Sequence, residues 1–374
     1  MNIGFVAPQI GLKIGGIENW GYLFAENFPD YVDFHTFCAN DSETICRNKN
    51  TISYSKYRKK QILRLHTSLV LLLFRANRRF PFDFTFSSLY SYGLSCYLLK
   101  MIKAVPYGVM VHGNELMNEP SRSGICGRLI TLIKKIVRSK IFKYADIVFA
   151  NSNYTKELLL DTYGESNVVV IHPPIKYEDK YVDKDAIGKN YLLLSVGRLI
   201  ERKGFQYVIV AMKELTKKLP MLEYHIVGRG NYLEKLKRIV SDNNLCNSVV
   251  FHGNASENEK NRLYSECDCF IMPSYTIEED SEVEGFGIVF LEANMYGKYV
   301  IATKTGGIQD AIKEGVTGCF VEPRDAGSIS SVIMSLYENG FHYSVEDCIE
   351  WARSRDISVV IRNYISEIST IIKK

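Results

Sequence analysis

Short apolar runs alternate with segments of helical period along this chain, and the series runs twice, which restricts the fold to an α/β architecture built on doubly wound parallel sheets. Asn2 to Ala7 reads as a strand, followed by a glycine loop and a helical pattern from Glu18 to Phe28. Strands over Phe84 to Phe86, Tyr107 to Val111, Asp146 to Asn151 and Val168 to Ile171 continue the series, with helices over Gly93 to Ala104 and Thr155 to Tyr163. Lys176 to Lys189 is charged and has no apolar period, so it reads as a linker. The alternation restarts at Tyr191. Strands over Leu192 to Val196, Tyr224 to Val227, Val249 to Gly253, Cys269 to Met272 and Tyr299 to Ala302 are separated by helices over Phe205 to Lys217, Asn231 to Asn243 and Ile288 to Tyr296. A further helix is expected over Ser328 to Asn339. A length of 374 residues suits two domains, each able to bury a core.

The loops of the second half carry the chemistry. Gly285 and Gly287 lie between two carboxylates, Glu284 and Glu292. Glycine lets a backbone approach an anion closely, and the helix starting at Ile288 would aim free amides and its positive dipole end at it. Glu284 on the loop and Glu292 just over one turn into the helix can grip separate parts of one extended ligand, such as a sugar nucleotide. Upstream, Arg198 and Lys203 sit on the loop that follows a buried strand, where guanidinium and ammonium suit a diphosphate. Read singly, these features also fit a surface loop capped by a buried helix and two solvated charges.

In their order and spacing, Gly15-Gly16-Ile17-Glu18, His112-Gly113-Asn114-Glu115, Gly197-Arg198 with Lys203-Gly204, Val227-Gly228-Arg229-Gly230, Pro273-Ser274, Glu284-Gly285-Phe286-Gly287 through Glu292-Ala293, and Gly306-Gly307 resemble family 4 of the glycosyltransferases, retaining enzymes of the GT-B fold. The resemblance runs nearly end to end. It implies two facing Rossmann-like domains with ligands at the strand C-termini. An acceptor-binding domain is expected over residues 1–175, a linker over 176–190 and a nucleotide-sugar domain over 191–352, with a C-terminal helix over 353–374 returning to the first domain. By the same resemblance Arg198 and Lys203 match the pair that stabilises the leaving diphosphate, Glu284 the glutamate beside the transferred sugar, and Glu292 the acceptor of the ribose hydroxyls. Phe286, Gly287 and Ile288 would offer backbone amides, Gly228 would line the nucleotide, Gly15 and Gly16 would let the first loop close over the donor, and His112 would lie near the sugar.

The implied function is retaining, metal-independent transfer of a sugar from a UDP or GDP sugar to a hydroxyl of a glycan, plausibly lipid-linked, as in capsule, lipopolysaccharide or O-antigen synthesis. The alternative is a catalytically idle GT-B subunit associated with a membrane. A Rossmann oxidoreductase is disfavoured, because Gly228-Arg229-Gly230 lacks the full dinucleotide fingerprint. Glu266-Cys267-Asp268 mimics an acidic metal-binding triplet but precedes a buried strand, so no metal and no cofactor are expected. The acidic run Glu278, Glu279, Asp280 and Glu282 reads as a solvated loop.

Composition narrows the setting. Nine scattered cysteines lack metal-ligand spacing, so reduced thiols in a cytoplasmic protein are expected. The start of the chain has no charged leader or cleavage site, and the aliphatic run Leu69 to Phe74 is far short of the ~20 residues a membrane-spanning helix needs. The formal net charge is only +4, yet Thr44 to Phe82 and Ser121 to Ala145 contain no acid. In the second segment Leu129, Ile133, Ile136 and Val137 recur at helical spacing, with Arg128, Lys135, Arg138 and Lys143 mostly on the other side. That pattern fits either a basic amphipathic helix resting on the inner face of an anionic membrane or an ordinary surface helix with a positive solvated face. No nucleic-acid module accompanies it, which leaves nucleic acid out of the expected partners.

Overall fold

Every strand pairing is parallel, so each sheet is covered by helices on both faces and its strands are apolar runs rather than alternating ones. The computed structural model describes residues 1–7, 16–38, 51–53, 62–117, 125–164, 167–181, 191–277, 283–339 and 342–373. It divides into unit 1, Met1–Lys176 with Ile357–Lys374, and unit 2, Tyr177–Asp356.

Unit 1 runs β1 (Asn2–Val6), α1 (Gly16–Asn27), β2 (Asp33–Cys38), β3 (Thr51–Ser53), α2 (Ile62–Arg79), β4 (Phe84–Ser87), α3 (Tyr90–Lys103), β5 (Tyr107–Val111), α4 (Ile125–Lys143), β6 (Ile147–Ala150), α5 (Asn153–Tyr163) and β7 (Val168–Val170). The sheet order is β3-β2-β1-β4-β5-β6-β7. Ile3 pairs with Phe34 on one side and Phe84 on the other. One face is an aromatic core of Phe5, Trp20, Phe24, Phe34, Phe86 and Phe149. The other packs Leu69, Leu73, Cys96, Leu99, Ile141, Phe142 and Leu159 from α2 to α5.

Unit 2 runs β8 (Tyr191–Val196), α6 (Phe205–Lys218), β9 (Leu222–Val227), α7 (Leu233–Asp242), β10 (Val249–Gly253), α8 (Glu257–Glu266), β11 (Cys269–Met272), α9 (Ile288–Met295), β12 (Tyr299–Thr303), α10 (Ile308–Ala311), β13 (Gly318–Val321), α11 (Ala326–Glu338) and α12 (Val345–Arg353). Its order is β10-β9-β8-β11-β12-β13. The last helix, α13 (Ile357–Ile372), belongs to unit 1. Its Tyr364 ring lies 4.7 Å from both Phe24 and Phe149, and Val360, Ile361 and Ile368 complete the aromatic core. Burying a side chain of that size contributes about 1.5 to 3 kcal/mol, so the helix is integral to the unit.

The expected elements are present with ends shifted by a few residues. Sequence patterning did not resolve β2, β3, α2, α8, α10, β13 and α12. The reason is plain in β2, Asp-Phe-His-Thr-Phe-Cys, where polar His35 and Thr36 are buried and break the apolar signature. His35 lies against Phe80 and Phe82, at 4.8 and 5.5 Å between ring centroids, and neither ring nitrogen finds a partner among the described residues.

Burial lowers the His35 pKa from its ordinary value, against a smaller raising by Asp33. A histidine kept neutral in this way contributes stability above its unfolded pKa of about 6.5, and the contribution is lost as pH falls below it. His225 is lowered chiefly by burial too. Urea midpoints are therefore expected to drop between pH 8 and pH 5.5, and to drop less in His35→Leu. An equal drop in the variant would remove His35 from the acid response.

Candidate functional site

In unit 2 the loop after β8 is pressed onto its neighbours by glycines. Gly228 has a φ of +147°, and a Cβ there would lie 1.8 Å from the Gly197 carbonyl oxygen. Gly230 similarly meets the Leu199 carbonyl at 2.0 Å, and Leu199 in turn donates to the Arg229 carbonyl. Arg198 sits between these clamped neighbours with its side chain exposed. Further on, Gly204 adopts φ +79° where a Cβ would meet the Pro273 carbonyl at 2.1 Å, which seats this loop on the one after β11.

That seating brings a carboxylate and two cations together. Arg202 Nη1 and Lys203 Nζ both donate to the same Glu284 oxygen, at 2.9 and 2.6 Å. Arg202 and Lys203 are buried. Burial alone pushes the Glu284 carboxyl up, but Lys203 and Arg202 outweigh it and hold its pKa at about 2. The backbone of Glu284 is fixed as well, because its carbonyl accepts from Gly307 N at 2.9 Å and Gly306 turns beneath it at φ +56°.

Three residues beyond Glu284 the chain enters α9. Gly287 is its N-cap at φ +93°, and no side chain caps it. The first amides of a helix lack intrahelical acceptors, so the turn at Ile288 presents donors and the positive dipole end. Phe286 is buried and anchors the turn. On the next turns Glu292 accepts the Tyr264 hydroxyl at 3.0 Å. Tyr264 is itself buried between Phe270 and Tyr296, and that burial, reinforced by Glu292, raises its pKa well above the usual value. The phenol therefore stays a donor and holds the carboxylate in place.

The expected residues thus fall into three groups. Glu284, Phe286, Gly287, Ile288 and Glu292 lie along one loop and helix of unit 2, with Arg198 and Lys203 on the loop after β8 and Gly228 on the loop after β9. His112 belongs to unit 1, where its Nε2 is 2.8 Å from the Ser88 carbonyl and its own carbonyl accepts from Asn151 at 3.1 Å. Its amide donates to Glu115, whose carbonyl accepts from Arg138 on α4. Gly16 opens α1, while Gly15 and the acidic run 278–282 lie outside the described residues. Arg202 and Tyr264 had no assigned role in the sequence. Arg202 is adjacent to Lys203, and its partner is revealed only by the fold. Asp268 accepts from Leu192 N at 2.7 Å and Glu266 pairs with Arg262 at 2.6 Å, so these acids of the triplet serve the strand start and the helix.

Two family models match in tandem, Glycosyltransferase Family 4 over residues 14–179 and Glycosyl transferases group 1 over residues 178–355. The chain belongs to these glycosyltransferase families. Among curated relatives, the GDP-mannose-dependent alpha-(1-6)-phosphatidylinositol monomannoside mannosyltransferase of Mycolicibacterium smegmatis is 33% identical over 202 residues, 51% of this chain and 53% of the relative. The amylovoran biosynthesis glycosyltransferase AmsK of Erwinia amylovora is 31% identical over 153 residues, 41% of this chain and 37% of the relative. The chain spans about half the length, or less, of these curated relatives. Among solved structures, Anabaena HepE in complex with UDP has a TM-score of 0.78 at 18% identity, covering 99% of this chain and 100% of that one. Sucrose-phosphate synthase from Thermosynechococcus elongatus reaches 0.76 at 18% identity, covering 100% and 99%. At such identities the likeness is one of fold, which is GT-B.

In this glycosyltransferase, Glu284→Gln strands two buried cations and is expected to cost about 3 kcal/mol of stability at pH 7, as breaking a buried pair does. The loss should shrink in acid: a carboxylate whose pKa is held at about 2 contributes fully above its unfolded pKa of about 4.3 and progressively less below it. Urea denaturation of both proteins at pH 7 and pH 3.5 checks this. A penalty independent of pH would contradict the charge argument.

Proposed function

We propose that this glycosyltransferase moves a sugar from a nucleotide-diphosphate sugar to a hydroxyl of a glycan acceptor, with retention and without a metal ion. The observation that carries the reading is the meeting of Arg202 and Lys203 on Glu284, three residues before the uncapped start of α9. A lysine ammonium has three donors. Glu284 takes one, which leaves Lys203 able to hold a diphosphate oxygen beside the α9 amides, with the exposed Arg198 guanidinium closing on it from the clamped loop.

The chemistry follows from that charge. The bond from the anomeric carbon to the nucleotide oxygen breaks, and the new bond to the acceptor oxygen forms on the same face. The acceptor proton passes to the departing phosphate, so no side chain needs to be a strong base. Charge growing on the diphosphate is neutralised by Arg198 and Lys203, and preorganised contacts of this kind are each worth about 3 kcal/mol of barrier. Glu292, oriented by Tyr264, takes the ribose hydroxyls, and Glu284 faces the sugar.

The mannosyltransferase and amylovoran relatives support a lipid-linked or polysaccharide acceptor and, with the UDP-bound HepE structure, leave the donor between GDP-mannose and a UDP sugar. A lipid-linked acceptor would place the work at the inner surface of a membrane, and no helix among the described residues is long and apolar enough to cross one.

A panel of UDP and GDP sugars, read by thermal stabilisation and by release of free nucleotide in the presence of glycan extract, tests the reading. One donor is expected to stabilise the protein and to be consumed. Stabilisation without turnover would support the idle subunit instead. With that donor, Arg198→Ala is expected to lower kcat by about a hundredfold, and Tyr264→Phe to weaken nucleotide binding by about 1 kcal/mol. Unchanged kcat in the first, or unchanged affinity by calorimetry in the second, would remove the corresponding assignment.

A further inference from the structure

Helix α4 turns one face to the core and carries its apolar stripe on the other. Its C-terminal half buries Arg138, Ile141 and Phe142 in unit 1, with the Arg138 guanidinium 4.6 Å over the Tyr90 ring. At about 100° per residue these three side chains share an arc of roughly 100°. The N-terminal half places Leu129, Ile130, Leu132, Ile133 and Ile136 on another arc, of roughly 160° and centred about 150° away. Those five are between 42% and 55% exposed. An amphipathic surface helix ordinarily turns its apolar stripe to the core. Here the core side is the Arg138 side, and the apolar stripe faces out.

A continuous outward stripe of large aliphatic side chains differs from scattered surface ones and marks an interaction face. Its borders say with what. Arg128 and Lys135 lie along one edge, Lys134 along the other, and Lys140 and Lys143 continue the stripe toward the helix end, all exposed. No Asp or Glu occurs from residue 121 to 145. A second copy meeting this face through a two-fold axis would set cation against cation. Nucleic acid would satisfy the cations but leave the aliphatic stripe wet. A surface with phosphates outside and hydrocarbon beneath satisfies both.

The geometry points to α4 as a docking surface for an anionic lipid bilayer, with Leu129, Ile133 and Ile136 entering the acyl boundary and the flanking cations lying on headgroups. The inference deepens the proposal of a lipid-linked acceptor and rests on it for its purpose, while the binding itself requires no sugar nucleotide.

Sedimentation of the full chain with phosphatidylcholine vesicles, with and without one part in about three of phosphatidylglycerol, tests it. The wild type is expected to bind the anionic vesicles, to release them in high salt, and to ignore the neutral ones. Leu129→Ser with Ile133→Ser, both at exposed positions, should reduce binding at least about tenfold. Arg128→Gln, Lys135→Gln and Lys140→Gln together should reduce it on the order of a hundredfold, at ~1 kcal/mol per cation. Melting temperature and thermal stabilisation by nucleotide should stay at wild-type values in both, which separates loss of docking from failure of the donor site. Vesicle binding unchanged by these substitutions, or absent from the wild type, would overturn the proposal. So would a dimer in sedimentation velocity that the serine variant abolishes, which would assign the stripe to self-association.

Discussion

The organising interaction is the pairing of Glu284 with Arg202 and Lys203. One carboxylate holds two buried cations on a single oxygen, and breaking such a buried pairing is costly because it strands charge away from water. The fold keeps that pairing next to the amides at the start of α9. In the proposed function a phosphate group meets the Lys203 ammonium and those amides. The same carboxylate cannot wander, since Gly306 and Gly307 grip its backbone while the two cations grip its side chain.

Glycines make this arrangement possible in a way that side chains could not. Gly204, Gly228 and Gly230 each lie where a Cβ would run into a neighbouring carbonyl, so the loops after β8, β9 and β11 approach one another to backbone contact. Arg198 is carried on the part of the β8 loop that is clamped from two sides, while its own side chain stays exposed. A clamped loop bearing an exposed guanidinium suits a group that must meet charge as it develops rather than hold charge at rest.

Much of this was legible in the sequence because glycine spacing and strand periodicity are local signals. The alternation of strands and helices, the α9 turn at Gly287 and the pair Glu284 and Glu292 could all be read from neighbouring residues. What escaped was long-range pairing. Arg202 looks like any surface arginine in a Glu-Arg-Lys run until the fold places it against a carboxylate 82 positions away, and Tyr264 gains meaning only when α8 packs beside α9. Strand β2 escaped because His35 and Thr36 are polar yet buried. For α4 the pattern showed an apolar stripe and a basic border but could not say which face turned inward. The buried Arg138 decided that.

The central claim is that the Lys203 corner beside α9 binds a diphosphate, and calorimetric titration with nucleoside mono- and diphosphates of the same base tests it most directly. Charge-assisted hydrogen bonds of about 1.5 to 3 kcal/mol predict that the diphosphate binds wild-type protein roughly ten- to a hundredfold more tightly than the monophosphate, and that the difference collapses in Lys203→Met. Equal affinities for the two nucleotides in the wild type, or a preference that survives loss of the ammonium, would contradict the account.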